Sequence, residues 1–291
     1  MIRSFLFVPG DSERKLEKAG GVGADAIIVD LEDSVTAESR PRARELAREY
    51  IEGRDDVWLR INPVDSGEAL ADLQAVMPAA PGGIVLPKAR SGDDAARLAT
   101  KLDELESRFD VAAGTTRILP LCTERPRALF SLESYVGATP RLAGLTWGAE
   151  DLSAALGARA NRGEDGHWLS PYELARSLCL FAAAAAEVPA IDTVYTDFRD
   201  AEGLASFAAR AARDGFTGML AIHPGQVATI NAAFSPSDED VRRAERIVAL
   251  FTDNPGAGVL ALDGEMIDKP HLVQARRTKA LADSLKARQQ G

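Results

Sequence analysis

Ala26-Ile27-Ile28-Val29-Asp30-Leu31-Glu32-Asp33 is an unbroken aliphatic run that ends abruptly in carboxylates. A run without polar alternation suits a strand covered on both faces, as in a parallel sheet, and its acidic end places charge at the C-terminal edge of that sheet. Seven further runs share this form, at 4–8, 58–62, 83–87, 118–122, 144–147, 190–194 and 219–222, beside the 26–30 run quoted first. Helical patterns fill the intervals, over 42–50, 69–76, 93–105, 170–186 and 201–213. Eight strands alternating with helices predict an α/β protein, a TIM (β/α)8 barrel, with a doubly wound sheet as the alternative.

The 291 residues exceed the roughly 250 of a simple barrel. We assign residues 1–235 to the barrel and 236–291 to a C-terminal helical extension, with a helix over 238–252, a loop rich in Gly, Asp and Pro, and a last helix from Leu272. Ser170-Pro171-Tyr172-Glu173 reads as a helix start, with Ser170 as N-cap and Glu173 closing a capping box. The polar loop over 158–168 before it is a candidate lid or substrate loop.

Composition narrows the function. A net charge of -10 opposes general affinity for nucleic acid or anionic membranes. The apolar start over 2–9 lacks the features of a secretory signal, and Cys122 and Cys179 sit in apolar contexts, so a cytoplasmic location is expected. Lys269, Arg276, Arg277, Lys279, Lys286 and Arg288 make the last stretch basic, either as a solvated helix face or as a contact for an acidic partner.

A barrel does its chemistry at the C-terminal ends of its strands. There the chain places Asp30, Glu32 and Asp33, Arg60 and Asn62, Lys88, Glu124, Glu150 and Asp151, and His223. Carboxylates, an arginine and a lysine sharing one mouth suit a divalent cation with an anionic substrate. Hard carboxylate oxygens favour Mg2+. Zinc is disfavoured, because His167, His223 and His271 stand at no ligand spacing from another His or Cys, and no nucleophile elbow is present.

The segments Leu6-Phe7-Val8-Pro9-Gly10, Leu59-Arg60-Ile61-Asn62-Pro63, Val85-Leu86-Pro87-Lys88, Trp147-Gly148-Ala149-Glu150-Asp151-Leu152, Ile222-His223-Pro224-Gly225-Gln226-Val227 and Asp263-Gly264-Glu265-Met266-Ile267-Asp268 join the opening stretch in a consistent order. Together they resemble the citrate lyase β-subunit-like CoA-ester lyases of the HpcH/HpaI aldolase superfamily. The resemblance implies a Mg2+-dependent carbon-carbon lyase acting on a 3-hydroxyacyl-CoA of the malyl, methylmalyl, citramalyl or citryl type, with an acyl-CoA and a small 2-keto acid as partners. It implies that Glu124 and Asp151 hold the metal, that Arg60 binds the keto-acid oxygens, and that Asp268 acts as acid/base in a neighbouring subunit of a homotrimer or homohexamer. Gly148, Ala149 and Glu150 join the substrate contacts, and Glu32 and Asp33 orient Arg60, Lys88 or metal-bound water. Arg14, Lys15 and Lys18 are candidates for the CoA phosphates, and Lys88 is read as an electrostatic contact in preference to a Schiff base. Relatives commonly carry Glu-Thr where this chain has Glu124-Arg125, which makes Arg125 a candidate new anion contact. The alternatives are a thioesterase on the same metal platform, an aldolase for CoA-free hydroxy-keto acids, and a catalytically silent subunit.

Overall fold

The computed structural model describes residues 1–290. All eight expected strands are present: β1 (Ser4–Pro9), β2 (Ala26–Asp30), β3 (Val57–Arg60), β4 (Gly83–Leu86), β5 (Arg117–Pro120), β6 (Leu145–Thr146), β7 (Ala190–Asp192) and β8 (Gly218–Ala221). They run parallel in the order β5-β4-β3-β2-β1-β8-β7-β6. The two outer members meet through bridges of Ile118 with Leu142 and Leu121 with Thr146, and the Cys122 amide donates to the Thr146 carbonyl at 2.9 Å. These contacts bring the sheet round into a nearly closed TIM barrel and exclude the doubly wound alternative, which leaves both edges open.

The surrounding helices are α1 (Glu13–Ala19), α2 (Arg40–Ile51), α3 (Ala69–Val76), α4 (Gly92–Phe109), α5 (Ala149–Leu156), α6 (Ser170–Ala185), α7 (Ala201–Asp214) and α8 (Val227–Ala233). After β5 a 3-10 stretch, Pro126–Tyr135, stands where a regular helix would follow. Phe5, Ile28, Trp58, Val85, Leu119, Ile191 and Leu220 belong to one buried cluster drawn from seven of the eight strands. Within it Phe5 and Trp58 pack edge to face with ring centroids 5.5 Å apart. The start of α6 departs from expectation: Leu169 is the N-cap, without a side-chain cap bond. Glu173 is drawn away instead to Arg210, whose Nη2 donates to it at 2.5 Å.

A buried ion pair ties α4 to the segment before β6, and the same carboxylate takes amides from the approach to β5. Glu106 accepts from Arg141 Nη1 at 2.8 Å and Nη2 at 2.5 Å, and from the amides of Gly114 at 2.7 Å and Thr116 at 3.0 Å. Burial alone would raise the Glu106 carboxyl, but these donors bring it down to about 2 from an ordinary 4.5. A depressed carboxylate stabilises the fold fully above pH 4.5, and that contribution disappears as the pH falls toward 2. Glu106→Gln is therefore expected to cost about 3 kcal/mol at neutral pH and to flatten the dependence of stability on acid in that window. Urea unfolding followed across pH measures both effects.

The chain divides into two compact units, residues 2–231 and the segment from Ala232 onward together with Met1. The second contains α9 (Asp238–Asp253), an antiparallel hairpin of β9 (Val259–Leu262) and β10 (Glu265–Asp268), and α10 (Lys269–Gln290). The expected Gly- and Asp-rich loop is thus largely a hairpin, and the last helix begins at Lys269 instead of Leu272. Asp263 and Gly264 both take positive φ, 54° and 83°, which is the backbone a two-residue hairpin turn of matching twist requires. Ile267 then packs with Ala244, Ile247 and Ala275 in a small core between α9 and α10. Among the described residues no helix is long and apolar enough to cross a membrane.

Candidate active site

Asp30 and Arg60 are register partners on adjacent strands, so their side chains emerge side by side at the C-terminal end of the barrel. Arg60 Nε and Nη2 each donate to Asp30 at 2.7 Å, and Nη1 lies 3.2 Å from Glu32 Oε2. The guanidinium also rests over the Phe7 ring, 4.8 Å from its centroid. Burial pushes the Asp30 carboxyl up, but the Arg60 hydrogen bonds and charge outweigh it and leave the group below its usual range. Glu32 moves the other way, because burial prevails over Arg60 and Lys88.

Lys88 follows β4 in the left-handed conformation, with φ 50°. Its amide donates to Glu124 Oε2, while its ammonium lies 2.5 Å from Glu32, 3.1 Å from Asp33 and 3.4 Å from Asp151. Burial lowers the lysine pKa, but the Glu32 hydrogen bond and the surrounding carboxylates raise it further, so the amine is held protonated. An ammonium has no lone pair for a Schiff base, and the surroundings support the electrostatic role.

Glu124, just beyond β5, is only 3% exposed. Burial first and Asp151 second push its carboxyl up to about 8, against the opposing Lys88 amide. Asp151 stands in the first turn of α5 with its side chain 33% exposed. Gly148 makes this neighbourhood possible: a Cβ there would lie 2.7 Å from Glu124 Cγ. A cavity of about 310 Å³ opens over these groups, with Asp30, Arg60, Glu124, Gly148, Ala149, Glu150 and Asp151 on its polar wall and Phe7, Leu121, Val194, Leu220 and Ile222 among its apolar lining. Among the described residues no three His, Cys, Asp or Glu side chains form a metal cage. Two repelling carboxylates, one of them buried beside a wall without a side chain, fit a hard cation that uses few protein ligands and leaves positions for substrate oxygens.

The loop over 158–168 is firmly held. Arg162 Cζ stacks 3.6 Å from the Trp168 ring centroid and lies 5.0 Å and 5.4 Å from those of Phe207 and Tyr195, while neighbouring Asn161 donates to Glu150 at 2.8 Å. Trp168 in turn packs edge to face on Trp147, the residue before Gly148. These contacts join the candidate lid or substrate loop to the first turn of α5 through Glu150.

Other expected residues lie elsewhere. Arg14, Lys15 and Lys18 are exposed on α1 and do not line the cavity. Asp33 stays at the site, bonded to Lys88, one of the partners expected for it. Arg125 is engaged by Asp65, at 2.9 Å and 3.3 Å, so its guanidinium is already paired at the surface. Asp268 ends β10 in the C-terminal unit, where its carboxylate meets His271 Nδ1 at 2.5 Å; that hydrogen bond lowers the Asp268 pKa. Asp30, placed by the sequence at a strand end without a role of its own, is the bidentate partner of Arg60. Equivalent places at the ends of consecutive aliphatic runs were the available signal.

A family model described as HpcH/HpaI aldolase/citrate lyase matches residues 3–224. The chain belongs to that family. Within it, the protein is 35% identical to a (3S)-malyl-CoA thioesterase of Cereibacter sphaeroides (strain KD131 / KCTC 12085) over 296 residues, covering 98% of this chain and 96% of that protein. It is 31% identical to the mitochondrial citramalyl-CoA lyase of Homo sapiens, covering 98% of this chain and 86% of the relative. Among solved structures, protein CitE of Mycobacterium tuberculosis in complex with magnesium, acetoacetate and coenzyme A superposes with a TM-score of 0.79 at 31% identity, covering 97% of this chain and 98% of that one. This HpcH/HpaI family member thus stands among both lyase and thioesterase relatives.

Proposed function

We propose that the protein is a Mg2+-dependent carbon-carbon lyase that cleaves or forms a 3-hydroxyacyl-CoA of the malyl, methylmalyl, citramalyl or citryl type from an acyl-CoA and a 2-keto acid. The observation that carries this reading is the pairing of Glu124 and Asp151 at a cavity that also presents Arg60. Glu124 and Asp151 would hold Mg2+, which supplies Lewis-acid polarisation and a template for substrate oxygens.

Arg60 binds the keto-acid carboxylate. Asp30 occupies its Nε and Nη2 edge and Glu32 stands 3.2 Å from Nη1, which fixes the guanidinium plane and leaves the N–H groups not aimed at these carboxylates for charge-assisted hydrogen bonds to the substrate. Lys88 orients Asp151 and offsets the surplus negative charge left by Glu32 and Asp33. Ala149 and Glu150 line the cavity at the start of α5, where helix amides without internal acceptors favour anionic oxygen. In cleavage the hydroxyl passes its proton to solvent, its oxygen becomes the keto-acid carbonyl, the carbon-carbon electron pair passes to the acyl carbon as a thioester enolate, and the keto acid departs. Asp268, supplied by a neighbouring subunit of a homo-oligomer, returns a proton to that carbon; in condensation it removes one.

The identity to the (3S)-malyl-CoA thioesterase favours a second reading, in which water attacks the thioester on the same platform. Incubation with Mg2+ and malyl-CoA separates the two. The lyase releases glyoxylate and acetyl-CoA, and EDTA abolishes turnover. Malate and free CoA without glyoxylate would overturn the lyase reading, and turnover indifferent to EDTA would remove the metal from it.

A further inference from the structure

The carboxylates of the β9–β10 hairpin take different partners. Arg246 Nη2 of α9 donates to Asp263 at 2.6 Å, and Arg243 of the same helix pairs with Glu265. Asp268, the last residue of β10, has no Lys or Arg partner among the described residues and meets His271 in the first turn of α10. The pair has a firm mount, because Ile267 beside Asp268 is buried against Ala244, Ile247 and Ala275.

This contact fixes a proton. Asp268 Oδ1 lies 2.5 Å from His271 Nδ1, and an ionised carboxylate only accepts, so the imidazole carries its hydrogen on Nδ1. The Asp268 amide, 3.3 Å from the same nitrogen, is a competing donor, but the shorter bond to a charged acceptor is the stronger. That bond also keeps the Asp268 carboxyl below its ordinary range, so it stays ionised behind the ring. Nε2 is left with its lone pair open and has no hydrogen-bond partner among the described residues. The His271 side chain is 43% exposed against 30% for Asp268, which makes the imidazole the more presented member of the pair. A carboxylate placed behind Nδ1–H holds the ring in one orientation and stabilises the imidazolium that forms when Nε2 takes a proton.

We infer that the acid/base step assigned to Asp268 is carried by an Asp268–His271 pair, in which His271 Nε2 exchanges the proton with the acyl carbon. The inference rests on the lyase reading above and deepens it. In condensation a C–H bond of the acyl-CoA methyl group breaks, its proton bonds to Nε2, and its electron pair remains as the thioester enolate. The imidazolium keeps its Nδ1–H on Asp268 and later releases the Nε2 proton to solvent. In cleavage the ring starts as imidazolium, protonated from solvent, and Nε2 gives its proton to the enolate carbon. Imidazoles are intrinsically more basic than carboxylates, which suits the removal of a proton from carbon.

Solvent deuterium exchange into the acyl-CoA methyl group, followed on the Mg2+-loaded protein, tests this. His271→Asn offers Asp268 an amide donor in place of Nδ1–H and has no nitrogen equivalent to Nε2. It should lose about 10²- to 10⁴-fold in exchange while Mg2+ affinity is unchanged. The Asp268→Asn, His271→Asn double variant should lose no more than the worse single variant, because the two residues act as a unit. Losses that multiply overturn the inference. Exchange in His271→Asn at the parent rate also overturns it, leaving Asp268 to act alone and the lyase reading intact. A parent with neither exchange nor glyoxylate release overturns both. Nitrogen NMR of the parent imidazole decides the matter where a variant does not fold: a His271 ring protonated on Nδ1 supports the pair, and one protonated on Nε2 alone overturns it.

Discussion

Glu124→Gln is expected to reduce turnover by roughly 10³-fold at saturating Mg2+ and to weaken Mg2+ binding, without unfolding the barrel. The amide keeps the shape of the carboxylate and an oxygen for the Lys88 amide, so local packing survives. What it loses is the charge that a hard cation needs. That charge is costly in the metal-free protein, since Glu124 is buried and faces Asp151. Glu124→Gln should accordingly melt no lower than the parent in EDTA. Kinetics, Mg2+ titration by calorimetry and a thermal scan give the three readings. Full activity in a Glu124→Gln, Asp151→Asn double variant would sink the metal assignment.

Asp268→Asn carries the second large effect, an expected loss of about 10²- to 10⁴-fold with Mg2+ affinity retained. The His271 hydrogen bond lowers the Asp268 pKa, which suits the proton-removing role proposed for it in condensation. The asparagine keeps the volume and removes the proton-accepting oxygen. Exchange of deuterium from solvent into the acyl-CoA methyl group should stop in this variant while Mg2+ still binds. Mixing it with Glu124→Gln tests where Asp268 acts. If it completes a neighbour's site, mixed oligomers regain activity that neither parent variant has, whereas no recovery would confine Asp268 to its own subunit or remove it from the reaction.

The barrel was legible because parallel strands buried on both faces leave unbroken aliphatic runs, and 26–30 coincides with β2 residue for residue. β6 was read as four residues and has two, since Gly144 and Trp147 resemble strand in composition but lie outside its ladder. The hairpin of β9 and β10 was missed although Asp263-Gly264 is a strong turn signal. Exposed Val259 and Met266 blur its alternation, and only Ile267 is fully buried. At the site, charge position along the chain was readable, but pairing was not. Asp30 closes an aliphatic run and reads as a strand end, and its grip on Arg60 appears only when β2 and β3 are placed in register. The aromatic seat of Arg162 was hidden for the same reason, because Trp168, Tyr195 and Phe207 come from three separate segments.

The barrel's seam also bears on its chemistry. Glu124 follows β5 and Asp151 follows β6, the two strands joined by a pair of isolated bridges where every other neighbouring pair shares a ladder. A cation held by both carboxylates would therefore act as a rivet across the joint least secured by the backbone, so that filling the site and locking the cylinder become a single event.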